Sequence, residues 1–507
     1  MKILFAEQIR ALDQYTIDHE PITSIDLMER ASLECASWLF THFGTKDFAF
    51  FCGTGNNGGD GLAIARLLAE RGVNVHVWCV RGAGVSSAEQ QINLKRLTEI
   101  GISVPMIEHP NQFPDVDKRT IVVDALLGTG LTRPLAGLLK ETVRFLNGVS
   151  CTRVAIDIPT GMFADAENEG HDGPIFQAHH TLSFEVPKLS FFLPSMASFV
   201  GTLHILPIGL DAPYIAQQKS AFSFLQEEDI APLLLTRSSF AHKGVFGHAL
   251  IVAGSYGKVG AAILATKAAL RSGSGLVSAL VPKCAYALLQ SAVPEAMVMT
   301  GKEKNYLVGT ADLRSFSAVG IGPGIGQEVA TGELLLHLLK NATVPLVLDA
   351  DALNILAAHP KWIQEIPKGS ILSPHVKEFE RLFGLQKSSL ARLTRQQEIA
   401  QKLGLYIVLK GHYSSIAFPD GRVFFNSTGN PGMATGGSGD VLTGLLTGLL
   451  AQSYPPDLAV LLGVYLHGLA GDLARDHVGE EALIASDIIE HFGGAFLKLH
   501  AAKKSSL

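Results

Sequence analysis

The chain has 507 residues, which is too long for one hydrophobic core and predicts two or three domains. Its formal net charge of −6 argues against nucleic acid or an anionic membrane as a partner. The five scattered cysteines, without a CxxC pair, argue against disulfides and structural zinc and favour a reducing compartment. The first residues lack a signal-peptide core, and the longest apolar run, near Leu445–Ala451, is too short for a bilayer. We therefore expect a cytoplasmic protein that binds neither nucleic acid nor membrane.

The first half alternates predicted strands and helices. A strand over 47–52 leads into GTGNNGGDG at 53–61, then a helix over 62–71 and a strand over 73–80. This order places a glycine-rich loop at a helix N-terminus beyond the carboxyl end of a strand, where phosphate groups bind. The loop is not the GxGxxG fingerprint of dinucleotide oxidoreductases, since two asparagines and Asp60 add oxygens suited to a cation or to ligand hydroxyls.

Two further predicted strands in this half end in a carboxylate. The strand TIVVD ends in Asp124 and leads into a glycine-rich loop, and the strand VAID ends in Asp157 and leads into Thr160. Parallel strands end at one edge of a sheet, so Asn57, Asp124 and Thr160 could bind one monovalent or divalent cation. Asp157 would then be left for acid–base chemistry. A single aspartate at a strand end is more often a cap, so the prediction depends on the three strand ends together.

Three other residues of the first half have simpler explanations. Lys188 follows a predicted strand, and its position alone predicts an ordinary surface lysine. His179 and His180 have no Glu or Cys at ligand spacing, which favours packing over metal binding.

The segment 211–234 lacks long strands and indicates a linker, with a domain boundary near residue 220.

The second half repeats the strand–loop–helix order and predicts a mostly parallel, three-layer α/β domain. A hairpin is predicted around Pro419–Gly421, and an amphipathic helix over 459–475. The predicted strands cover 247–253, 276–281, 345–349, 370–373 and 406–410, and the predicted helices cover 263–272 and 328–339.

The stretch GNPGMATGGSGDVLTG at 429–444 is the most informative in this half. A helix predicted from Val441 onward would place Gly436–Asp440 at its N-terminus, which suits phosphate. A carboxylate beside phosphate is repelled unless it has a task, such as taking a proton from a hydroxyl about to be phosphorylated. The alternative is that Asp440 only caps the helix. With His375 and Lys410 on the same rim, the pattern favours a nucleotide-plus-substrate site.

Together these motifs resemble the bifunctional NAD(P)H-hydrate repair enzymes, in which an NAD(P)HX epimerase is fused to an ADP-dependent NAD(P)HX dehydratase. The resemblance implies a Rossmann-like, YjeF N-terminal-like epimerase domain at 1–215. It also implies a ribokinase-like dehydratase domain at 225–507, with both domains three-layer α/β. The motifs that carry it, in chain order, are GTGNNGGDG, DALLGTGLTRP, DIPTG, HKGVFGHALIVAGS, GAAILATKAALRSGSGLV, GPGIG, DADALN, SPHVKEFERL, LKG and GNPGMATGGSGDVLTG.

In the epimerase half, the resemblance implies that Asp157 contacts the substrate and acts in proton transfer, with Lys188 as its acid–base partner. It also implies K⁺ binding by Asn57, Asp124 and Thr160, the last of which stands where serine is usual and keeps the hydroxyl. Residues of two loops would hold the hydrated nucleotide: Asn56, Asn57, Gly58, Gly59 and Asp60, and Gly128, Thr129, Gly130, Leu131, Thr132, Arg133 and Pro134.

In the dehydratase half, the resemblance implies that Asp440 deprotonates the C6 hydroxyl of the hydrated ring, which then attacks the donor phosphoryl group. ADP with Mg²⁺ is the implied donor, NADHX and NADPHX are the implied substrates, and we expect a homo-oligomer. The implied substrate contacts besides Asp440 are Ala261, Gly324 and His375, and the nucleotide contacts are Lys410, Gly411, His412, Tyr413, Ser414 and Gly439.

Three alternatives stay open. An ordinary ribokinase-like small-molecule kinase would share Asp440, would make a stable phosphorylated product and would leave the fused first half unexplained. A non-catalytic epimerase-like module, of the kind found in RNA-decay scaffolds, predicts loss of Asp124 and Asp157, which are both present. A plain NAD-dependent oxidoreductase is disfavoured by the altered first glycine loop.

Overall fold

The computed structural model describes residues 1–82, 84–168 and 173–505. The chain divides into two compact units. The first comprises Lys2–Phe222 and Ser388–Leu390, and the second comprises Met1, Ser223–Lys387 and Ala391–Leu507. Both units are α/β, which confirms the predicted class.

The first unit is built on a seven-stranded sheet with the order β3-β2-β1-β4-β5-β6-β7. All its strand pairs are parallel. The strands are β1 Phe48–Cys52, β2 Val75–Val80, β3 Met106–Ile107, β4 Ile121–Ala125, β5 Thr152–Ile156, β6 His180–Phe184 and β7 Thr202–Leu206. The helices are α1 Ala6–His19, α2 Ser24–Phe43, α3 Asn56–Ala69, α4 Ala88–Glu99, α5 Gly137–Gly148, α6 Ala197–Val200 and α7 Ala212–Gln217.

Successive residues of β1 belong to different cores, because side chains of a strand alternate between the two faces of its sheet. Phe48 and Phe50 pack in a cluster with residues of α2 and α3. Ala49 and Phe51 pack in a second cluster with Val143 and other residues around α5. Helices therefore cover both faces, which gives the predicted three layers.

The second unit contains a ten-stranded sheet with the order β11-β10-β9-β12-β13-β14-β15-β16-β17-β8. The pairs from β11 to β15 are parallel, and the β15–β16 and β16–β17 pairs are antiparallel, which confirms the predicted hairpin. The strands are β8 Phe222–Phe224, β9 His248–Val252, β10 Leu276–Val281, β11 Met297–Thr300, β12 Ala318–Ile321, β13 Leu346–Leu348, β14 Ile371–Leu372, β15 Tyr406–Leu409, β16 Ser415–Ala417 and β17 Val423–Phe425.

Helices of this unit again lie on both faces of the sheet. Ala249 and Ile251 of β9 pack against residues of three helices, α9, α15 and α16. Leu250 and Val252 pack against residues of α11 and α12 on the other face. The helices are α8 Glu227–Ile230, α9 Val259–Arg271, α10 Tyr286–Ala292, α11 Val329–Asn341, α12 Ala350–Ala358, α13 Val376–Phe383, α14 Ser389–Leu403, α15 Ser438–Ala451, α16 Pro456–Val478, α17 Ala485–Glu490 and α18 Phe492–Ser505.

Two predicted glycine loops are shorter than the sequence indicates. Helix α3 begins at Asn56, so the segment 56–61 is its first turns and not a loop, and α15 begins at Ser438, before the predicted Val441. Close packing explains the glycines of α3. A Cβ atom at Gly58 would lie 1.9 Å from the carbonyl oxygen of Gly53.

Helix α16 differs most from its prediction. Every residue from Ala459 to Gly471 is buried, so the prediction of an amphipathic helix is wrong. Within the described residues it is the single helix long and apolar enough to cross a membrane, by length and composition alone. Its most apolar window is 72% buried inside the unit, as in the core helix of a folded domain.

Candidate active sites

The first candidate site forms around Asp157, directly after strand β5. The Lys188 ammonium group donates to Asp157 Oδ1 at 2.6 Å and to Ser183 Oγ at 2.5 Å. The lysine side chain is 1% exposed, so the prediction of a surface lysine is wrong. Burying a lysine is costly unless it is paired, and Asp157 supplies the pairing charge.

The loop after β4 contacts the same carboxylate. Thr129 donates its backbone N–H to Asp157 Oδ2 at 3.1 Å. A Cβ atom at Gly128 would lie 2.8 Å from this oxygen, so only glycine allows the loop to approach so closely. Asp157 itself has φ = +66°, an unusual backbone conformation for a residue with a side chain. The glycine-rich loop predicted after Asp124 therefore meets the predicted strand end at Asp157.

The predicted cation ligands include a hydrogen-bonded pair and an unpaired amide. Thr160 donates to the Asp124 carboxylate through its backbone N–H at 2.8 Å and its hydroxyl at 2.7 Å. Burial raises the pKa of Asp124 to about 6, against the opposing effect of these bonds. Among the described residues, the buried Asn57 side chain has no hydrogen-bond partner for either its oxygen or its nitrogen. A buried orphan amide beside a glycine loop is costly, and a bound ligand or cation would satisfy its oxygen.

The remaining predicted epimerase residues divide between the site and its surroundings. Gly59 packs against Met28, and the partly buried Leu131 packs against the core cluster that includes residues of α5. Pro134 packs against Gly173. Four residues are exposed and make no hydrogen bond to Asp157 within the described structure: Asn56, Gly130, Thr132 and Arg133.

Two further carboxyl groups lie within electrostatic reach of Asp157. Burial, and then the charge of Asp157, raise the pKa of Asp60 well above its usual range. The same two causes raise the pKa of Asp13 to about 7, with Lys188 opposing them. Asp60 belongs to the predicted glycine motif, whereas Asp13 lies on α1 and was missed. The sequence around Asp13 gives no signal, because only the packing of α1 brings this residue near the site.

The second candidate site forms at the N-terminus of α15. Gly437 precedes the helix with φ = +95°, and Asp440 lies in the first turn. Its carboxylate makes no hydrogen bond within the described residues, so the capping alternative is not observed. Burial, and then the charge of Asp349, raise the pKa of Asp440 to about 6, while Lys410 opposes the shift. A half-buried, unbonded carboxylate of this kind is suited to accept a proton.

Lys410 reaches the same helix end from strand β15. Its ammonium group donates to Asp349 Oδ1 at 2.8 Å. A Cβ atom at Gly439 would lie 3.3 Å from this nitrogen, so Lys410 and Gly439 are neighbours. After Lys410 the chain forms a tight turn in which the Ser414 hydroxyl donates to the Gly411 carbonyl at 3.0 Å. The same turn contains His412, whose pKa is lowered by burial, and Tyr413, whose pKa is raised by burial.

The predicted substrate contacts Ala261 and Gly324 also meet. A Cβ atom at Gly324 would lie 3.1 Å from that of Ala261 and 3.0 Å from that of Lys258. The Ser255 hydroxyl donates to the Gly324 carbonyl at 2.8 Å. Asp351 Oδ2 accepts the Gly326 N–H at 2.9 Å, so this glycine loop is held at both ends.

His375 lies beside Lys410, since the two residues form an isolated parallel bridge. It precedes α13 as its N-cap and forms a reciprocal capping pair with Glu378. The helix therefore begins at Val376. Half of the His375 side chain is exposed on the rim, where a ligand can reach it.

Each of the two α/β units has a carboxylate beside glycine loops at the carboxyl ends of its parallel strands. This arrangement is typical of enzymes that act on nucleotides. Residues 24–190 match the family described as YjeF-related protein N-terminus, and residues 249–492 match the family described as NAD(P)H-hydrate dehydratase.

Relatives named bifunctional NAD(P)H-hydrate repair enzyme Nnr match the chain along almost its whole length. The relative from Moorella thermoacetica is 35% identical, covering 97% of this chain and 96% of its own length. The Escherichia coli relative is 30% identical, covering 96% and 92%. The solved ADP/ATP-dependent NAD(P)H-hydrate dehydratase of Bacillus subtilis is 32% identical over 55% of this chain and 98% of its own, with a TM-score of 0.47.

The chain therefore belongs to the bifunctional NAD(P)H-hydrate repair enzyme family. This confirms the resemblance inferred from the sequence motifs, with a YjeF-related first half and an NAD(P)H-hydrate dehydratase second half.

Proposed function

We propose that this chain repairs hydrated nicotinamide nucleotides, as an NAD(P)HX epimerase in its first unit and an ADP-dependent dehydratase of the S epimer in its second. Family membership over nearly the whole chain supports both activities. The observation that carries the proposal is Asp440, an unbonded carboxylate with a pKa of about 6 at the N-terminus of α15. An ordinary cap would be hydrogen-bonded to N–H groups of the helix, and a surface carboxylate would keep an ordinary pKa.

In the dehydratase unit, Asp440 takes the proton of the C6 hydroxyl as its oxygen attacks the terminal phosphoryl group of ADP. A C6–O–P linkage forms, and the bond to AMP breaks. Phosphate then leaves with the C6–O electron pair, C5 loses a proton, and the ring double bond of NAD(P)H returns. Lys410 and the free N–H groups of α15 would stabilise charge on the phosphoryl oxygens.

Mg²⁺ would enter this site on the nucleotide. The described residues contain no group of three or more His, Cys, Asp or Glu side chains suited to hold a metal ion. Mg²⁺ is commonly bound by substrate phosphates and water with few protein ligands, so these residues are compatible with it. In the site it would neutralise phosphate charge during transfer.

In the epimerase unit, we propose that Asp157 and Lys188 take and return a proton at the reacting end of NAD(P)HX. The two groups are 2.6 Å apart, and the loop that contains Gly128 brings the Thr129 N–H to the same carboxylate. We propose K⁺ as the cation beside Asn57, Asp124 and Thr160. Two observations within the described residues support this choice: the Asn57 amide has no hydrogen-bond partner, and the Asp124 carboxylate is buried. A K⁺ ion would bind the Asn57 amide oxygen and offset the negative charge of Asp124.

We also propose a homo-oligomer in the reducing cytoplasm. The five cysteines are free, and four of them are buried. Strand β11, at one edge of the ten-stranded sheet, exposes Met297 and Met299, which suits contact with a second copy. Light scattering of the purified chain should give a multiple of 54.1 kDa, and a mass of one chain would contradict this proposal.

The dehydratase is tested with (S)-NADHX, Mg²⁺ and either ADP or ATP. We expect one NADH and one phosphate per nucleotide consumed, with faster turnover on ADP. Asp440→Asn should lower the rate by about 10³-fold or more, since it removes the proton acceptor. A stable phosphorylated NADHX would instead favour the small-molecule kinase, and hydride transfer to an added substrate would favour the oxidoreductase.

A further inference from the structure

Behind Asp440 lies a buried carboxylate that the proposed catalytic and binding residues do not include. The Asp349 side chain is 1% exposed. Its Oδ1 accepts from Lys410 Nζ at 2.8 Å and from the Ala350 N–H at 2.8 Å, and its Oδ2 accepts from the Thr443 hydroxyl at 2.9 Å. Both oxygens are thus bonded by groups from three separate segments of the chain.

The backbone around Asp349 is fixed as firmly as its side chain. Its N–H donates to the Ile321 carbonyl of the neighbouring strand at 3.1 Å. Ala350 has φ = +49°, a costly conformation for a residue other than glycine, and its N–H donates to the Asp349 carboxylate. A Cβ atom at Gly322 would lie 1.8 Å from the Asp349 carbonyl oxygen, so the adjoining loop also has to leave room for this residue.

These contacts hold the ammonium group of Lys410 against the first turn of α15. A Cβ atom at Gly439 would lie 3.3 Å from Lys410 Nζ and 3.4 Å from Asp349 Oδ2. Gly439 directly precedes Asp440. Lys410 remains 24% exposed, so a phosphate group at the helix end can still reach its ammonium group.

From this geometry we propose that Asp349, anchored by Thr443, is a positioning residue of the dehydratase. It fixes Lys410 beside the phosphoryl group that is transferred to the hydroxyl that Asp440 deprotonates. The inference deepens the proposed dehydratase function and depends on it. A simple helix cap is the alternative, since Asp349 also precedes α12 as its N-cap. A cap requires only the Ala350 N–H, whereas the lysine and threonine contacts connect Asp349 to the site.

The charges around Asp440 provide a readout besides activity and stability. Asp349 raises the pKa of Asp440, Lys410 lowers it, and Asp351 of α12 raises it. His467 of α16 bonds to the Ser438 carbonyl in the same turn, and burial lowers its pKa to about 4, so it is neutral near pH 6. Removing the Asp349 charge should therefore move the acid limb of the pH–rate profile to lower pH.

The test compares the intact protein with Asp349→Asn, Thr443→Val, Thr443→Ser and Asp312→Asn. The last variant removes an exposed carboxylate of the same unit that pairs with Arg314. We expect Asp349→Asn to lower kcat/KM by about 10²-fold, with an acid limb at lower pH and nucleotide binding weakened about 10-fold. Thr443→Val should lower kcat/KM by about 10-fold, and Thr443→Ser, which keeps the hydroxyl, should have a kcat/KM within about 3-fold of that of the intact protein. Asp312→Asn should match the intact protein.

Two results would overturn the inference. Loss of thermal stability and activity with unchanged nucleotide binding would make Asp349 a helix cap, and recovery of Asp349→Asn at raised Mg²⁺ would make it a metal ligand. Binding of a fluorescent ATP analogue separates this inference from the proposed function. If the intact protein binds the analogue but does not convert NADHX, the function fails, and equal binding by Asp349→Asn would then refute the inference as well.

Discussion

Asp157→Asn should destabilise the first unit because it leaves the Lys188 ammonium group buried without its charge partner. The ammonium and carboxylate groups are 2.6 Å apart, and the lysine is 1% exposed. At an effective dielectric constant of about 20 their attraction is about 6 kcal/mol, and breaking a buried pair costs about 3–5 kcal/mol. We expect the free energy of unfolding to fall by about 3 kcal/mol. The loss is at the lower end of the range because Lys188 keeps its hydrogen bond to the Ser183 hydroxyl, and because Asp13, with a pKa of about 7, can ionise nearby.

The matched control is Lys188→Met, which replaces the ammonium group with an apolar side chain of similar length. It leaves Asp157 14% exposed and still bonded to the Thr129 N–H, so we expect a loss of only about 1 kcal/mol. The double variant should be more stable than Asp157→Asn alone, because no buried charge is left unpaired.

Urea unfolding measures these differences if the signal comes from the first unit alone. Trp38 and Trp78 lie in that unit and Trp362 in the other, so each variant is made in a Trp362→Phe background and followed by tryptophan fluorescence. The reasoning would be refuted if the free energy of unfolding of Asp157→Asn were within about 0.5 kcal/mol of that of the intact protein and the double variant were no more stable than Asp157→Asn.

Three further outcomes are expected. Because Asp440 must be ionised to accept a proton and its pKa is about 6, dehydration should rise with pH to half its maximum near pH 6, and a flat profile between pH 5 and about 7 would contradict this. Gly128→Ala places a Cβ atom 2.8 Å from Asp157 Oδ2, so epimerisation should fall about 10-fold or more while dehydration, measured in the same sample, is unchanged. Thr160→Val removes the hydroxyl that bonds Asp124 at 2.7 Å, so half-activation of the epimerase should need about 10-fold more K⁺, and an unchanged K⁺ response would argue against a cation there.

The strands and their carboxyl ends could be predicted from the sequence because buried parallel strands are short apolar runs followed by a polar turn. Asp124 and Asp157 lie at those ends in the structure, and the glycine loop after β4 approaches Asp157. The pairing of Lys188 could not be predicted without the fold. Its partner lies 31 residues earlier, and nothing local separates it from a surface lysine.

Errors in the helices have a different cause. Glycines predict loops, yet those in the first turns of α3 permit close packing against neighbouring backbone and side chains. The polar residues near the end of α16 predict an exposed face, but the part from Ala459 to Gly471 lies among other helices and the sheet. Burial of this kind depends on the assembled unit and not on the period of the helix.

The most direct test of the two-site account uses both C6 epimers of NADHX with Mg²⁺, K⁺ and ADP, and follows the return of NADH absorbance. The intact protein should recover nearly all of the NADH and Asp440→Ala none. Asp157→Ala should recover only the S epimer quickly, because the R epimer is then limited by slow spontaneous epimerisation. Adding Asp440→Ala protein to the Asp157→Ala reaction should restore fast, complete recovery, since each supplies the activity that the other lacks. No nucleotide-dependent recovery by the intact protein, or no rescue on mixing, would contradict one activity in each half.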